Sequence, residues 1–170
     1  MGWFSDEYSK IVGKSTPEIV TGKPIELGGS LGREKATSLG GAFVLDALVE
    51  DRNLNKNDLT VAIQGYGNVG RNIAEILKDW GYKIVAVSNS RGGIYNQEGL
   101  DLEEIGKSMD ATINFPENEN LKKINNEELL ELPVDILIPA ALSDQITKEN
   151  VDEIKAKIIL EMANAPVTHE

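Results

Sequence analysis

Apolar positions divide the chain into segments of different period. Residues 3–12 place Trp3, Phe4, Tyr8, Ile11 and Val12 at helical spacing, and Gly13 stops the pattern. The spacing predicts a short amphipathic helix whose aromatics serve packing. Residues 14–32 carry Pro17, Gly22, Pro24, Gly28, Gly29 and Gly32 and read as a loop. It is long for a compact domain, and long ordered loops are disproportionately functional. Helical periodicity returns from Glu34 to Arg52 through Ala36, Leu39, Phe43, Val44, Ala47 and Leu48. Gly40 and Gly41 fall inside it. Each costs a helix roughly 1 kcal/mol against alanine, which a close approach of another element or a ligand would explain.

A polar break at 53–58 ends that pattern, and short apolar runs follow. Strands are expected at 60–64, 83–88 and 135–139, with a last one at 158–162. Ile73, Ala74, Ile76 and Leu77 predict a helix at about 69–80. Arg91-Gly92-Gly93 reads as a turn and Ile94-Tyr95 as a short extended piece. Asp101 caps a short helix to Lys107, and a brief helix is expected at 148–155. Residues 114–127, rich in Asn, Glu and Lys, read as an exposed connection. Apolar runs separated by helices imply parallel strands joined by right-handed crossovers. The expected fold is α/β, a Rossmann-like doubly wound, mostly parallel sheet with helices on both faces.

The candidate chemistry sits where the first of these strands meets its helix. Thr60-Val61-Ala62-Ile63-Gln64 enters Gly65-Tyr66-Gly67-Asn68-Val69-Gly70. A bare Gly-x-Gly-x-x-Gly is often only a tight turn; strand before and helix after make it a nucleotide fingerprint. Gly65 would make the turn, Gly67 would let the backbone approach a pyrophosphate, and Gly70 would let helix and strand pack closely. The helix N-terminus offers N–H groups and a positive dipole end to the phosphates.

The second strand ends at Ser88-Asn89-Ser90-Arg91. Asn89 stands about twenty residues past the glycines, where an acid normally takes the adenosine ribose hydroxyls. A neutral Asn89, with Ser88, Ser90 and Arg91 beside it, could hold a 2′-phosphate. It tilts the expectation toward NADP, alone or alongside NAD. Ala140-Ala141 and Asn164 each follow a buried strand, at the carboxyl edge where open α/β sheets bind ligands. Asn164 can both donate and accept hydrogen bonds. Arg33, Lys23 and Lys35 in or beside the Gly-rich loop are candidates for a substrate carboxylate, though a lone loop lysine is more often solvated charge. No Lys–Asp pair for proton transfer is visible.

Composition narrows the partners. The chain has 170 residues and a net charge of −11, enough length for one domain and no basic face for nucleic acid or an anionic membrane. There is no cysteine and the only histidine is His169, so no thiolate or histidine metal site is expected. No apolar run reaches the roughly 20 residues of a membrane span, and the N-terminus has no signal-peptide pattern. The expected location is cytoplasmic.

Several stretches resemble hexameric glutamate dehydrogenases, in that family's order and nearly end to end. They are Thr21-Gly22-Lys23-Pro24, Gly28 to Arg33 with Ala36-Thr37, Gln64 to Gly70, and Ser90 to Asn96 with Glu98-Gly99-Leu100. Asp135 to Leu142 with Gln145-Ile146-Thr147, and Ala156 to Ile159 with Glu161, Ala163, Asn164 and Pro166, continue the likeness. Gly-Gly-Ser-Leu-Gly-Arg points to glutamate over leucine, valine or phenylalanine dehydrogenases. The resemblance implies the dinucleotide-binding domain alone. The substrate domain with its catalytic Lys and Asp, and the final helices, would lie outside it.

By that resemblance, Thr37 would hold the nicotinamide carboxamide, and Asn68 and Val69 would present amides to the pyrophosphate. Ala140 and Ala141 would line the cofactor, Asn164 would contact its nicotinamide end, and Arg33 would face the substrate cleft. Gln64, Gly65, Gly67, Gly70, Asn89, Ser90 and Arg91 complete the implied cofactor site. The implied partners are the dinucleotide, the substrate domain and the other subunits of a homohexamer. The family usually has Asp at Asn89, Ala-Thr-Gly-Arg-Gly where this chain reads Ala36-Thr37-Ser38-Leu39-Gly40, and often Gly at Met162 and Ala165. The last two changes are expected to crowd the cofactor side. A non-catalytic nucleotide-sensing module, or the domain of another amino-acid dehydrogenase, remain alternatives.

Overall fold

A computed structural model describes residues 2–112 and 114–169, the side chain of Ala111 excepted. Two compact units divide the chain, one ending at Ala36 and the other beginning at Thr37.

In the first unit, α1 (Gly2–Val12) is followed by short 3-10 turns at Pro17–Ile19 and Ile25–Leu27. The loop is held by hydroxyls. Ser9 Oγ accepts the Thr16 N–H at 3.0 Å and shares a 2.9 Å bond with Thr16 Oγ1. The helix forms as its spacing predicts, but it buries none of its residues, and Trp3 is 93% exposed. The expected packing role of its aromatics is therefore not met within this unit. α2 (Arg33–Asp51) begins here and continues into the second unit.

The second unit is built on a six-stranded sheet: β1 (Thr60–Gln64), β2 (Lys83–Asn89), β3 (Gly92–Tyr95), β4 (Lys122–Ile124), β5 (Ile136–Pro139) and β6 (Ile158–Ile159). The spatial order is β4-β3-β2-β1-β5-β6. β2, β1, β5 and β6 run parallel, whereas β3 and β4 form an antiparallel edge. Three further helices are α3 (Asn68–Asp79), α4 (Leu102–Thr112) and α5 (Asn126–Leu130). Alternation along the strands sorts the core. Val61, Ile63, Ile136 and Ile138 pack with α2, α3 and α4, while Ala62 and Leu137 face α5. Helices thus cover both faces, as a buried mostly parallel sheet requires. Among the described residues no helix is long and apolar enough to cross a membrane.

Five expectations need correction. β2 turns straight back at Ser90-Arg91, pairing Asn89 with Gly92; the extended piece at 94–95 is therefore antiparallel. α4 continues to Thr112. The connection at 114–127 contains β4 and the start of α5, which Asn125 and Glu128 open with a reciprocal capping box. Finally, 148–155 holds only a 3-10 turn at Val151–Glu153, and the last strand stops at Ile159.

Candidate functional site

The carboxyl edge of the parallel strands gathers most of the residues singled out above. Gly65 leaves β1 at φ 98°, a backbone conformation that favours glycine. The Gly65 and Tyr66 N–H groups both donate to the Ser88 carbonyl, at 3.1 and 2.6 Å, locking the turn against the end of β2. On its other side Gly65 touches the loop after β5. A Cβ there would lie 2.8 Å from Ala141 Cβ and 2.9 Å from the Ala140 carbonyl oxygen. A Cβ on Gly70 would collide with the Gly65 carbonyl oxygen, whereas one on Gly67 would meet nothing within 4 Å. The turn is thus closed beneath and open at Gly67. The Arg71 N–H makes the first bond of α3, to the Gly67 carbonyl at 2.8 Å. The Val69 and Gly70 amides precede it and have no acceptor inside the helix.

Tyr66 points the other way, into the core, with its ring 6.1 Å from that of Phe115. Burial pushes its hydroxyl up to about 12, and the oxygen has no hydrogen-bond partner among the described residues.

Backbone bonds place the other candidates on the same edge. Ala140 N–H donates to the Gln64 carbonyl at 2.8 Å. The Pro139 carbonyl accepts from Met162 and Ala163 at 2.9 and 3.0 Å, and Asp144 N–H donates to the Ala165 carbonyl at 3.0 Å. Asn164, between them, is exposed. Thr37 is exposed too, and its neighbour Ser38, fully buried, donates to the Val69 carbonyl at 2.9 Å. Met162 turns toward α2, where a Cβ on Gly41 would clash with its sulfur and lie 2.7 Å from its methyl. The crowding expected of Met162 therefore falls on the helix, and it explains the glycine at 41. Gly40 faces open space, and no contact explains it.

The end of β2 departs from the expected donor group. Ser88 is fully buried, and its hydroxyl donates to Asn126 Oδ1 at 2.7 Å, so it is not offered to a ligand. Asn126 Nδ2 in turn donates to the Asn89 carbonyl at 3.0 Å. Asn89 Oδ1 accepts the Arg91 N–H at 2.8 Å, capping the hairpin. Ser90 is exposed at the hairpin tip, and Arg91 Nη1 donates to Asn114 Oδ1 at 2.7 Å. Asn89 and Arg91 also line a cavity of about 490 Å³ with Phe115, Glu117 and Lys123.

Gln64 is also placed differently from a ligand contact. Its side chain is 2% exposed and donates to Gln145 Oε1 at 2.7 Å. Of the cationic candidates, Arg33 lies exposed in the first unit, with its guanidinium beside Gly22. Lys23 donates to the Val20 carbonyl at 2.7 Å, which commits its amine to the loop. Lys35 is exposed.

Among the described residues three Lys–Asp pairs form: Lys10 and Asp6 meet at 2.7 Å on the exposed face of α1 in the first unit, and the two in the second unit stand at the opposite, amino-terminal edge of the sheet. Lys56 and Asp46 meet at 2.8 Å beneath the Tyr82 hydroxyl, and Lys157 and Asp135 meet at 2.8 Å beside Thr60. The Lys56 bond holds Asp46 below the usual carboxylate range. Burial would push Asp135 up, but Lys157 and the Thr60 amide and hydroxyl outweigh it and hold that carboxyl low.

Reading the residues alone missed three groups that shape this edge: Ser38, Asn126 and Gln145. The Asn125-x-x-Glu128 spacing was the available signal for α5, and so for Asn126. Ser38 and Gln145 act through partners far away in sequence, which spacing cannot show.

Parallel strands feeding a Gly-x-Gly-x-x-Gly turn into a helix, with an antiparallel edge hairpin, define a Rossmann-like α/β domain. Comparison narrows this class. The family model for glutamate/leucine/phenylalanine/valine dehydrogenases matches residues 28–170, and the chain belongs to that family. Glutamate dehydrogenase of Thermotoga maritima is 48% identical over 174 residues, covering 100% of this chain and 41% of its own length. NADP-specific glutamate dehydrogenase of Synechocystis is 43% identical over 180 residues, covering 99% and 41%. In structure, the hetero-hexameric glutamate dehydrogenase of Thermus thermophilus, in a Leu-bound form, matches with a TM-score of 0.89 and 36% identity. That match covers 99% of this chain and 39% of the other. The chain thus spans about 41% of the length of the curated relatives it matches.

Proposed function

We propose that this chain is the dinucleotide-binding domain of a glutamate dehydrogenase. One observation supports the reading most directly: the turn at 65–70 is packed solid beneath Gly65 and Gly70 and open at Gly67, at the start of a twelve-residue helix. A pyrophosphate would lie in that opening, taken by the Asn68 and Val69 amides and the helix dipole. Thr37 would hold the nicotinamide carboxamide. Ala140 and Ala141 would line the cofactor, Asn164 would meet its nicotinamide end, and Arg33 would face the substrate. The bound nicotinamide supplies the hydride acceptor or donor.

The parent reaction is the reversible oxidative deamination of L-glutamate to 2-oxoglutarate and ammonia. Its proton transfers belong to a substrate domain, the partner of this one. The two Lys–Asp pairs described in the second unit support that division, because both sit at the edge away from the glycine turn. Asn89 carries no charge to repel a 2′-phosphate, and the Synechocystis relative is named as NADP-specific. Both favour NADP, alone or alongside NAD, at the Asn89–Ser90–Arg91 hairpin. The Thermus relative is a hetero-hexamer, which supports six subunits for the parent enzyme, assigned here as a homohexamer.

Titration of the chain with NADH, NADPH and ADP, followed by nicotinamide fluorescence and competition, tests this reading. Saturable binding of a nicotinamide nucleotide, tighter than ADP, is expected. Equal or tighter ADP binding would favour a nucleotide-sensing module. Glutamate-dependent NAD(P)H production by the chain alone is expected to be absent, and its detection would overturn the placement of the acid–base groups.

A further inference from the structure

Gln64 closes β1 with a buried side chain held in one orientation by its neighbours. Its Nε2 donates to Gln145 Oε1 at 2.7 Å, and Gln145 Nε2 donates to the Ser143 carbonyl at 2.8 Å. A carbonyl can only accept. Gln145 must therefore turn its nitrogen to Ser143 and its oxygen to Gln64, and Gln64 must answer with nitrogen. Gln64 Oε1 is then left buried, with no hydrogen-bond partner among the described residues. A stranded acceptor is costly, and an apolar side chain of similar length would avoid that cost.

The same residue holds the loop after β5 at both ends. Its carbonyl accepts the Ala140 N–H at 2.8 Å, and its side chain holds Gln145. Between these anchors Ala140 and Ala141 press on Gly65. The hold extends further, since the Gln145 N–H donates to the Pro166 carbonyl at 2.8 Å, close to Asn164.

We infer that Gln64 is a positioning residue. Its buried amide makes no contact with the dinucleotide, yet it sets the spacing between the glycine turn and the 140–145 loop, and so the affinity for the dinucleotide. The inference rests on the dinucleotide reading above. Gln64→Met and Gln145→Met, singly and together in the full chain, test it, with NADH as probe. Three quantities are read: the thermal midpoint, the NADH Kd, and amide exchange over 140–146 without nucleotide.

Gln64→Met is expected to keep the wild-type midpoint, bind NADH about tenfold more weakly, the size of one lost hydrogen bond, and exchange the loop amides faster. Gln145→Met should weaken NADH and loosen the loop to the same extent, but with a lower midpoint because it strands the buried Gln64 nitrogen, and the double variant should lose no more NADH affinity than either single change. A purely structural role would lower the midpoint and leave the Kd of the folded protein unchanged; that result overturns the inference. So does wild-type NADH affinity in either variant, with Gln145→Met deciding if Gln64→Met does not fold. A wild-type chain that binds neither NADH nor NADPH overturns the dinucleotide reading and this inference with it. Binding by wild type and variants alike overturns the inference alone.

Discussion

The Gly65 carbonyl and the Cα of Gly70 are in backbone contact: a Cβ on Gly70 would enter the carbonyl oxygen and lie 2.9 Å from its carbon. Neither side can yield. Gly65 is held at φ 98°, with its N–H on the Ser88 carbonyl, and Gly70 is buried inside the first turn of α3. Gly70→Ala should therefore cost about 3 kcal/mol or more, at the severe end of overpacking. Chemical denaturation measures it, and an unchanged midpoint would mean that α3 can slide off the turn.

Gly67→Ala should behave in the opposite way. Its φ of −91° suits any residue, and the added methyl meets no protein atom. Stability should change by less than about 1 kcal/mol, as at a surface position. Binding of NADH should weaken by about tenfold or more, since the methyl occupies the space through which a phosphate would reach the amides. Isothermal titration alongside the denaturation curve separates the two effects. Unaltered NADH binding would place the pyrophosphate elsewhere.

Ala165 sits at φ 46°, a left-handed conformation that costs a non-glycine residue roughly 1–2 kcal/mol. Ala→Gly changes usually destabilise. Here the relieved strain should offset the added freedom of the unfolded chain, so Ala165→Gly should be neutral or stabilising by up to about 1 kcal/mol. A thermal midpoint several degrees lower would contradict this.

Tyr66 places a hydroxyl in the core with no partner among the described residues. Tyr66→Phe removes that stranded group and should stabilise the fold by about 1 kcal/mol. The pH dependence follows from the same burial. A folded value of about 12 exceeds the unfolded value of about 10. Titration of Tyr66 therefore leaves wild-type stability untouched below about pH 10 and lowers it as pH rises from there toward the folded value. The Phe variant should lack this part of the alkaline decline, which denaturation across that range would reveal.

How far the sequence could be read depends on how local each signal is. β1, the glycine turn and α3 were legible because strand period, turn chemistry and helix period follow one another without a gap. Asn89 was legible as a position but not as a hydrogen-bonding group. Its side chain is taken by the Arg91 amide in the hairpin, and its neighbour Ser88 is bonded to Asn126 from a helix that periodicity did not reveal. α5 is only Asn126–Leu130, too short for a helical period to stand out. The burial of Gln64 is hidden from the sequence for a similar reason. Strand alternation tells which face a residue takes, but only the fold shows that Gln145 waits there. The aromatics of α1 stay exposed, since an amphipathic pattern records a capacity for burial and not its partner.

Asp135 joins the starts of three parallel strands. Its carboxylate accepts the Thr60 N–H at 3.0 Å, the Thr60 hydroxyl at 2.8 Å and the Lys157 ammonium at 2.8 Å. Burial opposes its charge, but these donors prevail, and its folded pKa lies below the ordinary value. For a depressed acid the contribution is fully present above the unfolded value and is lost as pH falls through the folded one. Asp135→Asn keeps the shape but not the charge. It should cost about 1–2 kcal/mol near pH 7, and the deficit should close as pH drops below about 4, where the wild-type carboxyl takes up its proton. Asp46, Asp110 and Glu117 also titrate low, but they do so in both proteins, so the difference curve isolates Asp135. A deficit of constant size from about pH 3 to about pH 7 would show that the acceptor lost to the amide nitrogen, and not the charge paired with Lys157, carries the effect.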